Sequence, residues 1–219
     1  DLGRDPAAWK AWWSTREAIA PIDKALGAPK EEEPRRYAHE NERDTVGPDD
    51  FGIPVRGRRV VFCADVSASM RYKLPLAYDQ LARAVKGLPS TSRFEIVFFN
   101  EFVHPWRGRL SHADPVTKEL VVRHLPTIEI KSYTNLFDAL EAGLAMEPTE
   151  IFLISDGEPN RGRKQLPRDI LSELRRSNSR KVPIHTVSVV RTVDGDGHIP
   201  LLREIAEESG GEHVERTLR

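Results

Sequence analysis

One cysteine, Cys63, occurs in 219 residues. An internal disulfide is therefore impossible, and so is a zinc site built from several thiolates. An excess of charge of one sign is also missing. The 33 Lys and Arg nearly balance 34 Asp and Glu, leaving a net charge of −1. Such a chain has no electrostatic reason to bind nucleic acid or an anionic membrane. No apolar run approaches the roughly 18 residues that span a bilayer, and no internal repeat is visible. The first residue is Asp1 rather than Met. The chain reads as an excised or processed fragment, so the want of a leader segment says little about compartment.

What is present is a chain long enough for one sizeable α/β domain and an appendage. Charged residues make up 31% and hydrophobic residues only 39%, so part of it must be strongly solvated. The leading segment explains some of this. Asp5 and Pro6 make a good helix start, and Trp9, Trp12 and Trp13 follow on one helical face. From Gly27 to Gly52 the composition turns to charge, proline and glycine, as in Lys30-Glu31-Glu32-Glu33-Pro34-Arg35-Arg36, which reads as a linker or surface-hugging arm. The expected division is a Trp-rich helix and charged arm over 1–50, then a domain over 51–219.

Within that domain strand and helix alternate. Apolar runs at 60–64, 94–99, 151–154 and 184–190 have the length of buried strands. A short strand at 102–106 follows the Asn100-Glu101 connection as a hairpin. Helical spacing places Leu74, Tyr78, Leu81, Val85 and Leu88 on one face. Further helices are expected at 115–124 with Val116, Leu120 and Val121 inward, at 135–145 with Leu136, Leu140 and Leu144 inward, from Pro167 with Ile170, Leu171 and Leu174, and at 200–208. Gly210-Gly211 stops the last one, and His213-Val214 is expected to form a short final strand. The pattern implies a Rossmann-like three-layer α/β/α fold with a mostly parallel sheet of about six strands and one antiparallel edge strand.

In an open parallel sheet ligands bind beyond the carboxyl ends of the strands, where strand order reverses. Three polar segments fall at such places: Asp65-Val66-Ser67-Ala68-Ser69, Ser132-Tyr133-Thr134-Asn135, and Ser155-Asp156-Gly157-Glu158-Pro159-Asn160. If the strands at 60–64 and 151–154 are neighbours, Asp65 and Asp156 meet, with Ser67, Ser69 and Thr134 around them. Two carboxylates and three hydroxyls are hard oxygen ligands of the kind that suit Mg²⁺, Mn²⁺ or Ca²⁺. The plainer alternative is that the hydroxyls cap the helices that follow.

On these residues the chain resembles the von Willebrand factor A domain family over roughly 58–215. That family's metal-ion-dependent adhesion site reads Asp-x-Ser-x-Ser, then a separate Thr, then a separate Asp. Asp65, Ser67, Ser69, Thr134 and Asp156 match it. Ala68 and Tyr133 depart from it, each standing where a glycine is frequent. The resemblance implies a bound divalent cation, usually Mg²⁺. Ser67 and Ser69 would bind directly, Thr134 directly or through water, and Asp65 and Asp156 by either route. It implies adhesion to a partner protein that presents an Asp or Glu carboxylate, and no catalysis. The leading segment also looks like one found in some bacterial proteins that join HEAT-type helical repeats to such a domain, which implies an upstream helical-repeat partner and leans toward an exported or cell-envelope setting.

Other readings stay open beside it. The module could be a structural or regulatory scaffold whose metal site is unused, or a metal-dependent phosphoryl hydrolase. The hydrolase reading lacks a Gly-x-Ser-x-Gly elbow, and serine stands at position 67 where a second aspartate would be wanted. Asp194-Gly195-Asp196-Gly197 reads as a turn, because a twelve-residue calcium loop would end on Ile205 rather than on an acid. The seven histidines offer no i, i+4 zinc pair. Cys63 is a small core residue. Arg161, Arg163 and Lys164 could flank a partner's acidic surface or lie in a solvated loop.

Overall fold

The computed structural model describes residues 51–191 and 200–218, all within the compact unit Asp44–Arg219. The Trp-rich helix, the charged arm and the 194–197 turn lie outside the described residues. In chain order the elements are β1 (Arg59–Asp65), a 3₁₀ turn (Ala68–Tyr72), α1 (Leu74–Gly87), β2 (Arg93–Phe99), β3 (Val103–Pro105), β4 (Ser111–His112) and α2 (Pro115–His124). A second 3₁₀ turn (Leu125–Thr127) precedes α3 (Leu136–Leu144), β5 (Glu150–Ser155), α4 (Pro167–Ser177), β6 (Ile184–Arg191), α5 (Pro200–Ser209) and β7 (His213–Leu218).

The sheet runs β3-β2-β1-β5-β6-β7, with β4 also on β2. Strands β2, β1, β5, β6 and β7 are parallel, while β3 and β4 pair antiparallel with β2. The expected antiparallel edge is thus two short pieces of one arm. A strand of two residues, Ser111–His112, carries no periodicity from which it could have been read.

Successive strand residues face opposite sides of the sheet, and the core divides accordingly. Val60, Phe62, Phe94, Ile96, Phe98, Phe152 and Val187 pack on one side against Leu74, Leu81 and Val85 of α1 and Val121 of α2. Val61, Cys63, Val97, Phe99, Ile151 and Leu153 pack on the other against Leu136 and Leu140 of α3, Ile170 and Leu174 of α4, and Leu202 and Ile205 of α5. Each large apolar side chain so buried contributes about 1.5–3 kcal/mol. One inward assignment fails: Val116 is 61% exposed, and α2 turns Thr117 inward beside the expected Val121.

From β1 the chain passes through α1 to β2 on one side, then returns to place β5 on the other. The adjacent carboxyl ends of β1 and β5 therefore open a crevice where strand order reverses, the place where ligands enter such sheets. Register brings Ala64 opposite Ile154, so Asp65 and Ser155-Asp156 leave the sheet side by side.

Candidate metal centre

Asp65 ends β1 opposite Phe99 and is 1% exposed. Its Oδ1 accepts the Ser67 N–H at 2.8 Å, and its Oδ2 accepts the Ser155 hydroxyl at 2.5 Å. Burial pushes the carboxyl up to about 6, the hydrogen bonds from Ser155 and Ser67 pull it back, and the Asp156 charge adds to the rise.

The following turn carries the two serines. Ser67 stands at the N-cap of the 3₁₀ turn, yet its side chain caps nothing. Its Oγ lies 3.0 Å from Ser69 Oγ, and the Ser69 hydroxyl donates to Asp156 Oδ1 at 2.7 Å. At the start of α1 the N-cap is Lys73, again without a side-chain capping bond. The capping explanation therefore does not account for either hydroxyl. Neither Ala68 nor Tyr133 has a positive φ, so the departures from glycine cost the backbone nothing.

Thr134 reaches the same place from the loop before α3 and is 3% exposed. Its N–H donates to Asn160 Oδ1 at 2.9 Å, and its carbonyl accepts the N–H groups of Asn160 and Arg161 at 3.1 and 3.3 Å. The helix that follows takes Asn135, not Thr134, as its N-cap. Gly157 borders both hydroxyls, since a Cβ built there would make ordinary contact with Ser69 Oγ at 3.5 Å and with Thr134 Oγ1 at 3.7 Å. A parallel bridge between Ser67 and Lys131 ties the serine turn to the segment leading to Thr134. All five residues singled out in the sequence converge on the crevice.

Sequence reasoning missed the cation already there. Lys73 is 7% exposed, and its Nζ donates to Asp156 Oδ2 at 2.6 Å. The Asp156 side chain is itself fully covered. A lysine beginning a helix is the signal that could have been read. The positive end of the helix dipole disfavours it there, so it needs an anion close by. Ser155 and Asn160 were also overlooked as the partners that fix Asp65 and Thr134.

The donor set fits a hard divalent cation. Among the described residues no three His, Cys, Asp or Glu side chains gather in a way that could hold a metal. The oxygens that meet come from two carboxylates and three hydroxyls, a mixture that suits Mg²⁺ or Mn²⁺ and not zinc. Cys63 takes no part: burial raises its thiol far above the usual range, and its Sγ faces the Ala139 carbonyl. Of the three cations after Asp156, two are engaged elsewhere. Arg163 pairs with Asp138 and Glu141 on α3, and Lys164 approaches Glu173 on α4. Arg161 stacks over the exposed Tyr133 ring at 5.5 Å and stays on the rim.

Residues 58–214 match the family described as von Willebrand factor type A domain. The bovine (Bos taurus) inter-alpha-trypsin inhibitor heavy chain H3 is 25% identical over 150 residues, covering 62% of this chain and 17% of that protein. This chain thus spans only a small part of that relative. Among solved structures, a von Willebrand factor type A protein from Catenulispora acidiphila superposes with a TM-score of 0.60 at 18% identity, over 76% of this chain and 40% of that one. An aerotolerance-related membrane protein from Bacteroides fragilis does so with a TM-score of 0.54 at 15% identity, over 73% and 92%. At those identities the structures speak to the fold alone.

Proposed function

The chain belongs to the von Willebrand factor type A domain family, and on that premise we propose that it is a protein-binding module that grips an acidic partner through a divalent cation, Mg²⁺ in the first instance. The observation that carries the reading is the string Ser67–Ser69–Asp156, at 3.0 and 2.7 Å, formed by hydroxyls that cap no helix. Ser67 and Ser69 would hold the cation directly, Thr134 directly or through water, and Asp65 and Asp156 by either route. Mostly neutral ligands would leave the bound cation with charge to offer an Asp or Glu carboxylate of the partner. The chain's own residues supply the rest. Ser155 and the Ser67 N–H orient Asp65, and Asn160 fixes the Thr134 backbone. No catalysis is part of this reading.

One observation favours a second reading, a structural or regulatory scaffold with an unused site: Lys73 already supplies Asp156 with a positive partner. A phosphoryl hydrolase gains no support, because serine stands at position 67 and its hydroxyl meets another serine. Titrating Mg²⁺ and Mn²⁺ calorimetrically into the native chain and into Asp65→Ala separates the readings. Heat from the native chain that disappears in the variant is expected. A native chain that binds neither ion favours the scaffold, and an EDTA-sensitive pull-down then has nothing to recover.

A further inference from the structure

We infer that Lys73 is a fixed positive charge of the cation site, and that it makes loading of the cation depend on the arrival of an acidic partner. The inference rests on the cation reading above and goes on to its regulation.

The ammonium is held inside the site rather than beside it. Its side chain is 9% exposed, that of Asp156 is fully covered, and they meet at 2.6 Å. At that burial a charge is tolerated only when paired. The position is otherwise unfavourable: Lys73 occupies the N-cap of α1, makes no side-chain capping bond, and has no acidic residue in the first helical turn to balance it. The pair also engages the whole Asp156 carboxylate, for Oδ1 takes the Ser69 hydroxyl while Oδ2 takes the lysine.

The charges then set the order of events. With both carboxylates ionised, Asp65, Asp156 and Lys73 leave one net negative charge. A divalent cation turns this into one net positive charge in a largely covered crevice, which a single carboxylate from outside neutralises. Without the lysine, the cation alone would neutralise the site, and it would bind tightly with or without a partner. With it, cation and carboxylate each raise the affinity of the other, as linkage requires. The ligand class follows: an acidic side chain, in preference to a neutral oxygen donor.

The test is calorimetric titration of Mn²⁺ into the full 219-residue chain, in sodium acetate and in sodium chloride of equal ionic strength, acetate standing for the partner's carboxylate. The native chain is expected to bind Mn²⁺ more tightly in acetate. Lys73→Met is expected to bind it about tenfold tighter than the native chain in chloride, in line with the loss of one nearby charge, and to gain little from acetate. Lys73→Arg should behave as the native chain does. Equal native and Lys73→Met affinities in chloride, or a native chain that binds Mn²⁺ but ignores acetate, overturn the inference and leave the cation reading standing. Absence of Mn²⁺ binding by native chain and variant alike overturns both. The acetate comparison on the native chain requires no variant, so a native chain that binds Mn²⁺ but ignores acetate overturns the inference even if Lys73→Met does not fold.

Discussion

Glu95 shows what a single buried carboxyl does away from the crevice. It lies within β2 at 0% exposure and accepts the N–H groups of Ile96, Arg107 and Arg109, pinning the arm that carries β3 and β4. Burial pushes it up from 4.5 to about 7, although those backbone donors pull the other way. A raised carboxyl makes the folded chain hold its proton longer than the unfolded one. The resulting stability is complete below 4.5 and is lost as pH rises through about 7. Urea midpoints from pH 5 to pH 8 should therefore fall more steeply for the native chain than for Glu95→Gln, which keeps only the part due to Asp65, raised to about 6. Parallel slopes would show that the carboxyl ionises as readily folded as unfolded. Nothing in the sequence marked Glu95, because one acid in an apolar strand is indistinguishable from an edge residue until its neighbours are in place. The oxygens of the crevice were legible for the opposite reason. Their residue types are scarce at the ends of apolar runs, and three such places in the right order narrow the possibilities. Lys73 offered only its awkward place at the start of a helix, since its partner lies 83 positions away.

At the scale of elements, the strands read well because continuous apolar stretches between helices have few other uses. The face of α2 did not. Asp114 caps that helix through the Thr117 N–H at 2.9 Å and also takes the Thr117 hydroxyl at 2.6 Å. This turns the Thr117 stripe inward and Val116 to solvent. Val121, four residues on, was read correctly as inward, but the cap that settles the fate of Val116 has a side-chain geometry a sequence does not display. The end of α5 offers a sharper test of local geometry. Gly210 has φ +78° and open space around it, whereas a Cβ on Gly211 would meet the Ile184 carbonyl oxygen at 2.2 Å. Gly210→Ala should cost about 1 kcal/mol for its left-handed backbone. Gly211→Ala should cost about 1–3 kcal/mol or more, because backbone rather than a flexible side chain must give way. Equilibrium urea unfolding of both variants gives the comparison. An equal loss would mean that β6 can move aside at no cost.

For the whole molecule, the crevice couples elements far apart in the chain. The serine turn, the Thr134 segment and the β5–α4 loop are joined through Ser69–Asp156, Thr134–Asn160 and Ser67–Lys131. A cation bound among them should thus raise global stability. At a hundredfold excess over its dissociation constant the gain is about 2.7 kcal/mol, or about 5–10 °C in Tm for a domain of this size. Thermal denaturation with Mg²⁺ and with EDTA should show that shift in the native chain and none in Asp65→Ala. The two sides of the sheet differ in one more respect. The outer edge of β2 is closed by β3 and β4, while among the described residues no strand pairs with the outer edge of β7. That open edge carries Glu215, ion-paired with Arg203. Charge on an unpaired strand discourages another chain from adding to it. At the β7 margin, then, growth of the sheet is opposed by side-chain charge rather than by a covering strand, and salt, which screens charge, would ease self-association there.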